Sequence, residues 1–127
     1  MDYSKTEDWI LTRLPSYQAI GKKAYNPGLN NVVKFISVLE LSLDSLKLIH
    51  VGGTNGKGST SAYISSILQE SKYKVGIFTS PHFFDFRERI KINNKMIEKS
   101  FIVNFINDNK NLIEKLELSF FELLNLK

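Results

Sequence analysis

Gly52-Gly53-Thr54-Asn55-Gly56-Lys57-Gly58-Ser59-Thr60 stands between a short apolar run and a run with helical spacing, and its reading decides the rest. With four glycines in the seven positions from 52 to 58, the backbone is free to take turns closed to residues that carry a Cβ. Successive N–H groups can then converge on an anion. Lys57 adds a full positive charge. At an effective dielectric of about 20, a lysine about 4 Å from one phosphate charge is worth roughly 4 kcal/mol before desolvation. Ser59 and Thr60 place hydroxyls where a helix would begin, and a helix start favours anions through its unpaired N–H groups and its dipole. The stretch reads as a phosphate cradle.

The flanks supply the strand-loop-helix context that such a cradle needs. Lys47 to Val51 (K-L-I-H-V) is short, partly β-branched and ends at glycine, which predicts a buried parallel strand. Ser59 to Ser71 has helical spacing, with Tyr63 over Ile67 and Ile64 over Leu68. Lys74 to Thr79 (K-V-G-I-F-T) predicts a second strand. Two strands joined by one helix form a right-handed βαβ unit, and ligands in such sheets bind at the carboxyl ends of the strands, where Gly53 and Ser80 fall. His50 sits inside the first strand, and without cysteines or a second nearby histidine it reads as structural.

The general pattern G-x-x-x-x-G-K-[ST] fits this loop imperfectly, because Val51 stands at the first glycine position and Gly58, not a hydroxyl residue, follows Lys57. With the preceding His50-Val51, the run resembles the H-V-x-G-T-N-G-K-G-S loop of folylpolyglutamate synthases and dihydrofolate synthases in the Mur ligase superfamily. Thr79-Ser80-Pro81-His82 and Phe86-Arg87-Glu88-Arg89-Ile90 resemble the T-S-P-H and F-R-E-R-I blocks of the same ligases. Ser119-Phe120-Phe121-Glu122 resembles their S-F-F-E block and is also an S-x-x-E capping box.

The resemblance implies an α/β fold, a P-loop-containing, Mur-ligase-like ATP-binding domain with a parallel sheet and flanking helices. It divides the chain into an N-terminal helical segment, 1–45, and an incomplete ATP-binding domain, 46–127. The implied reaction adds L-glutamate to a folate or dihydropteroate through an acyl phosphate, with ATP and Mg²⁺. Thr54, Asn55, Gly56, Lys57, Gly58, Ser59 and Thr60 would hold ATP, with Lys57 positioning phosphate. Ser80 would bind Mg²⁺, while Ser119, Phe120, Phe121 and Glu122 would border the pterin. A serine past a strand end offers magnesium the neutral oxygen it accepts, although Ser-Pro is also a common turn opener. The resemblance also implies that the magnesium glutamate, a later histidine and modified lysine, and a glutamate-binding domain lie beyond Lys127. The chain alone is then expected to be inactive and to expose an unpaired strand edge and an apolar face, leaving it marginally stable or aggregation-prone. A nucleotide-binding module without turnover is the alternative.

Elsewhere, Thr6 to Leu14 predicts a helix capped by Thr6, with Trp9, Ile10 and Arg13 near one another and Pro15 as its stop. Tyr17 to Asn26, with Gly21, Lys22 and Lys23, reads as a loop, and a lid role there rests on the resemblance alone. Leu29, Val32, Val33, Ile36 and Leu39 predict a helix to about Leu41 that packs on the sheet. Arg87 and Arg89 are expected on one face of a short strand, meeting an anionic ligand or neighbouring acids. Asn93-Asn94 predicts a hairpin turn. Asn94-Lys95-Met96-Ile97 lacks the aspartate of the guanine-recognition motif N-K-x-D, which disfavours GTP. Ile97 to Leu116 predicts an amphipathic helix, broken near Asn107 to Asn111.

With 127 residues the chain is about one domain, and 43% apolar content is that of a globular protein. No apolar run approaches the roughly 20 residues of a membrane span, and the polar start is unlike a signal peptide, so a cytoplasmic protein without a membrane partner is expected. Zero cysteines exclude disulfides, thiolate zinc sites and cysteine nucleophiles. The net charge of +4 is spread along the chain and mixed with acids. Without a clustered basic and aromatic patch, nucleic acid is not an expected partner. The parent enzyme is expected to be a monomer.

Overall fold

The computed structural model describes residues 1–14 and 28–125. Pro15 and the loop expected over 17–26, with Gly21, Lys22 and Lys23, lie outside the described residues. The chain forms two compact units, Met1–Ser45 with Glu98–Lys127, and Leu46–Ile97.

The first unit is helical. Helix α1, Tyr3–Arg13, begins three residues before the expected start, because Asp2 rather than Thr6 is the cap. The Asp2 carboxylate accepts the Lys5 N–H at 2.9 Å, leaving Thr6 inside the helix, buried, with its hydroxyl donating to the Asp2 carbonyl at 2.8 Å. Trp9 and Ile10 are buried, as their spacing predicts. Helix α2, Asn30–Val38, buries Phe35. The long helix of the unit spans Lys99–Lys115 without a break, and Ile102, Ile106 and Ile113 lie on its buried face. The asparagines expected to interrupt it do not, because Asn109 turns its amide back to the Phe105 carbonyl at 2.8 Å. A last short helix covers Phe120–Asn125. Packing between α1 and the long helix is reinforced by Lys99 over the Tyr3 ring at 4.6 Å and Lys110 over Trp9 at 5.4 Å. Phe35 meets Phe105 at 6.2 Å between ring centroids, a tilted aromatic pair.

The second unit holds helix α3, Lys57–Glu70, and strands β1, Gly76–Phe78, β2, Ile90–Ile92, and β3, Lys95–Met96, with a 3₁₀ helix, Phe86–Arg89, leading into β2. The helix and the second strand stand where the sequence placed them. The sheet differs. Its order is β1-β2-β3 and both pairings are antiparallel, with Ile77 opposite Lys91 and Lys91 opposite Met96. No parallel βαβ pair forms among the described residues. Lys47 to Val51 has strand composition but no ladder, and Leu48 and Ile49 are exposed, because a parallel strand needs a flanking parallel neighbour for its hydrogen bonds. Tyr63 and Ile67 on α3 are exposed as well. Asn93 and Asn94 form the expected hairpin turn with φ of 48° and 64°. Asn93 also ties that turn to Val75 through its N–H and its side-chain carbonyl, each at 2.9 Å.

Three helices end on the same device. Glu40, Lys72 and Glu117 take left-handed conformations with φ of 52°, 68° and 52°. The next residue then donates back to the helix: Leu41 to Ile36, Tyr73 to Leu68, and Leu118 to Ile113. Glycine normally fills this position, and a residue with a Cβ pays roughly 1–2 kcal/mol there. Glu117→Gly is therefore expected to stabilise the chain by about 0.5–1 kcal/mol, read as a rise in the urea midpoint at unchanged slope. A fall would show that the Glu117 side chain contributes more than its backbone costs.

Candidate functional site

The start of α3 is built to leave its N–H groups open. Gly56 is the N-cap with φ of 78°, a left-handed conformation that only glycine adopts without strain, and no side chain caps the helix. The first helical bond in this turn runs from the Thr60 N–H to the Gly56 carbonyl at 2.9 Å. The N–H groups of Lys57, Gly58 and Ser59 precede it, and an α-helix gives such groups no partner of its own. No acid lies in the first turn. Lys57 folds back over the loop, its Nζ donating to the Gly53 carbonyl at 2.6 Å. Residues 52–60 are all exposed.

Gly58 is the informative glycine. It lies inside the first helical turn, where glycine costs about 0.5–1 kcal/mol relative to alanine, yet a Cβ built there meets nothing within 4 Å. Nothing among the described residues requires its small size. The open space fits close approach of a ligand to the backbone.

The second cluster follows β1. Ser80 is exposed on the loop after Thr79, and the Ser80–Pro81 peptide is cis. Arg87 and Arg89 are not on a strand. They lie on the 3₁₀ helix, because Asp85 and Glu88 form a capping box around its first turn. Arg87 grips the Asp85 carboxylate through Nε and Nη2 at 3.0 and 2.7 Å and reaches the Ile97 carbonyl at 3.2 Å. Arg89 is buried and donates from Nε to His82 Nδ1 at 2.8 Å. Burial pushes its guanidinium pKa down. The sequence left these arginines between an anionic ligand and neighbouring acids, and Arg87 takes an acid. Glu88 was not singled out, although D-x-x-E at Asp85 to Glu88 is itself a capping signal.

Glu88 accepts N–H groups from Phe83, Phe84 and Asp85 at 3.0, 2.8 and 2.7 Å. These bonds, with Phe83 first, then Asp85 and Phe84, hold its carboxyl below the usual range against a smaller opposing effect of desolvation. A depressed folded pKa stabilises above the unfolded value and loses that contribution as pH falls through the folded one. Amide protection at Phe83, Phe84 and Asp85 is thus expected to hold at neutral pH and to be lost as pH falls through the lowered pKa of the folded carboxyl, measured by hydrogen exchange. Protection unchanged at lower pH would remove Glu88 as the anchor.

In the helical unit, Ser119 and Glu122 form the expected capping box. Glu122 Oε2 accepts from the Ser119 N–H and hydroxyl at 2.9 and 2.8 Å, and Ser119 Oγ accepts the Glu122 N–H at 3.2 Å. Phe120 is buried, 4% exposed, so its ring is not presented to solvent, and the Phe121 side chain lies outside the described residues. Glu122 Oε1 is buried and has no hydrogen-bond partner among the described residues. Among those residues, no group of three His, Cys, Asp or Glu side chains is placed to hold a metal ion, and no helix is long and apolar enough to cross a membrane.

No family model matches the chain. Individual proteins do. It is 37% identical over 115 residues to a dihydrofolate synthase/folylpolyglutamate synthase of Bacillus subtilis, covering 91% of this chain and 25% of that protein. The apo form of Lactobacillus casei folylpolyglutamate synthase superposes with a TM-score of 0.80 at 28% identity, over 98% of this chain and 30% of that one. A folylpolyglutamate synthase complex with AMPPCP and folate gives 0.78 at 27% identity, over 98% and 30%. The chain thus spans between a quarter and a third of the length of these relatives. Sequence and fold thus agree along nearly the whole chain with folylpolyglutamate and dihydrofolate synthases, consistent with an N-terminal portion of that family.

Proposed function

We propose that this chain supplies the nucleotide-phosphate site of an ATP-dependent ligase that joins L-glutamate to a folate or dihydropteroate. The observation that carries the reading is the uncapped start of α3, with Gly56 left-handed, Gly58 open to space and Lys57 folded over the loop. The similarity to a folylpolyglutamate synthase that binds AMPPCP and folate supports it. In the reaction, a carboxylate oxygen of the pterin substrate attacks the γ-phosphorus of ATP and ADP leaves. The glutamate amine then attacks the acyl carbon, loses a proton and expels phosphate. Lys57 and the open N–H groups of Gly58 and Ser59 orient the polyphosphate and offset charge on the transferring group, with Thr54, Asn55 and Thr60 completing the loop.

Magnesium fits this chain as an ion that arrives with the nucleotide. Ser80 offers one exposed neutral oxygen, and Mg²⁺ commonly takes few protein ligands, completing its shell with phosphate oxygens and water. Its chemistry there would be to neutralise phosphate charge. The pterin is assigned to Ser119 through Glu122. Buried Glu122 Oε1 lacks a donor among the described residues, and the amino-pyrimidine edge of a pterin presents N–H groups that a carboxylate accepts.

Titration of the purified chain with AMPPCP tests this reading. Lys57→Met is expected to weaken binding by about tenfold or more, roughly 1.4 kcal/mol. Gly58→Ala should separate stability from function, raising the melting midpoint while weakening AMPPCP, since the methyl group occupies space used by phosphate. Wild-type affinity in both variants would sink the assignment of this loop.

A further inference from the structure

The seven residues from Thr79 to Asp85 are held by two consecutive residues of the 3₁₀ helix. Arg89 takes one end: its carbonyl accepts the Thr79 N–H at 2.9 Å and its Nε donates to His82 Nδ1 at 2.8 Å. Glu88 takes the other end through the N–H groups of Phe83, Phe84 and Asp85. Ser80 lies between the Thr79 and His82 anchors, its side chain in solvent.

Apolar packing does not account for the shape of this loop. Phe83 and Phe84, its largest side chains, are 86% and 96% exposed. Fixing one residue's backbone costs roughly 1–2 kcal/mol, so an exposed loop keeps one shape only where other bonds offset that cost. Glu88 and Arg89 supply those bonds. Arg89 is itself only 5% exposed and lies between buried Phe86 and Ile90, so the anchor stands on the packed part of the unit.

We propose that Glu88 and Arg89 are positioning residues that clasp the Thr79–Asp85 loop and thereby aim the Ser80 hydroxyl at nucleotide-bound magnesium. This rests on the functional reading given above. The clasp acts through Ser80 and touches neither nucleotide nor substrate. Its effect therefore falls on the affinity gained when magnesium accompanies the nucleotide, whereas a merely structural role would lower affinity with and without the metal alike.

The test compares AMPPCP affinity of the 127-residue chain in magnesium and in EDTA. Ser80→Ala, Glu88→Gln and Arg89→Met are each expected to reduce the magnesium-dependent gain by about ten- to a hundredfold, with metal-free affinity unchanged. Because Arg89→Met removes a buried group, His82→Leu breaks the same bond from the half-buried side, and His82→Asn, whose Oδ1 replaces Nδ1 as acceptor, is expected to restore the gain. Hydrogen exchange at Phe83, Phe84 and Asp85 should accelerate in Glu88→Gln with no ligand present. A magnesium gain that survives Glu88→Gln and His82→Leu overturns the clasp while leaving the nucleotide site standing. Failure of the wild-type chain to bind AMPPCP at all overturns the functional reading, and the proposal with it.

Discussion

A helix that begins without a side-chain cap leaves its first N–H groups to find partners elsewhere, and α3 is such a helix. A serine, aspartate or asparagine at position 56 would satisfy one of those groups internally and put a side chain where an anion would sit. Gly56 does neither. Its left-handed conformation turns the chain into the helix, and Gly58 keeps the first turn bare at the expense of helix propensity. The loop thus sacrifices local stability at two adjacent points, and the rest of α3 supports it by packing against β1.

The local turns and caps of the chain were largely legible in the sequence because they depend on adjacent residue types. The glycine-rich loop, the α3 register, the Asn93-Asn94 turn and the Ser119–Glu122 box each follow from a few adjacent side chains with a definite conformational preference. Helix ends were harder to read. Where Glu40, Lys72 and Glu117 take the place of glycine in the left-handed position, no residue type announces the stop. The expected end of α2 at Leu41 therefore overshot Val38, and Asp2 was passed over for Thr6 because both are good caps and only burial of Thr6 decides between them.

The sheet and the arginine block depended on non-local information. Lys47 to Val51 and Lys74 to Thr79 share strand composition, but pairing direction is set by the neighbour each strand finds, and β1 finds β2. In the segment Phe86 to Arg89, alternating arginines suggest a strand only while Asp85 and Glu88 are ignored. Once both acids engage backbone N–H groups, the segment closes into a 3₁₀ turn and each arginine has a different environment. Arg87 lies over a carboxylate and Arg89 is enclosed beside a histidine.

Lys57 rests on the carbonyl of Gly53 at 2.6 Å, so the ammonium is already engaged before any ligand arrives. An ammonium carries three N–H donors and the carbonyl takes one, so an incoming anion can bind the others without displacing it. On the proposed reading, a polyphosphate would occupy the open N–H groups and the lysine together. The carbonyl that holds the ammonium over the loop would then leave less side-chain freedom to be lost on binding.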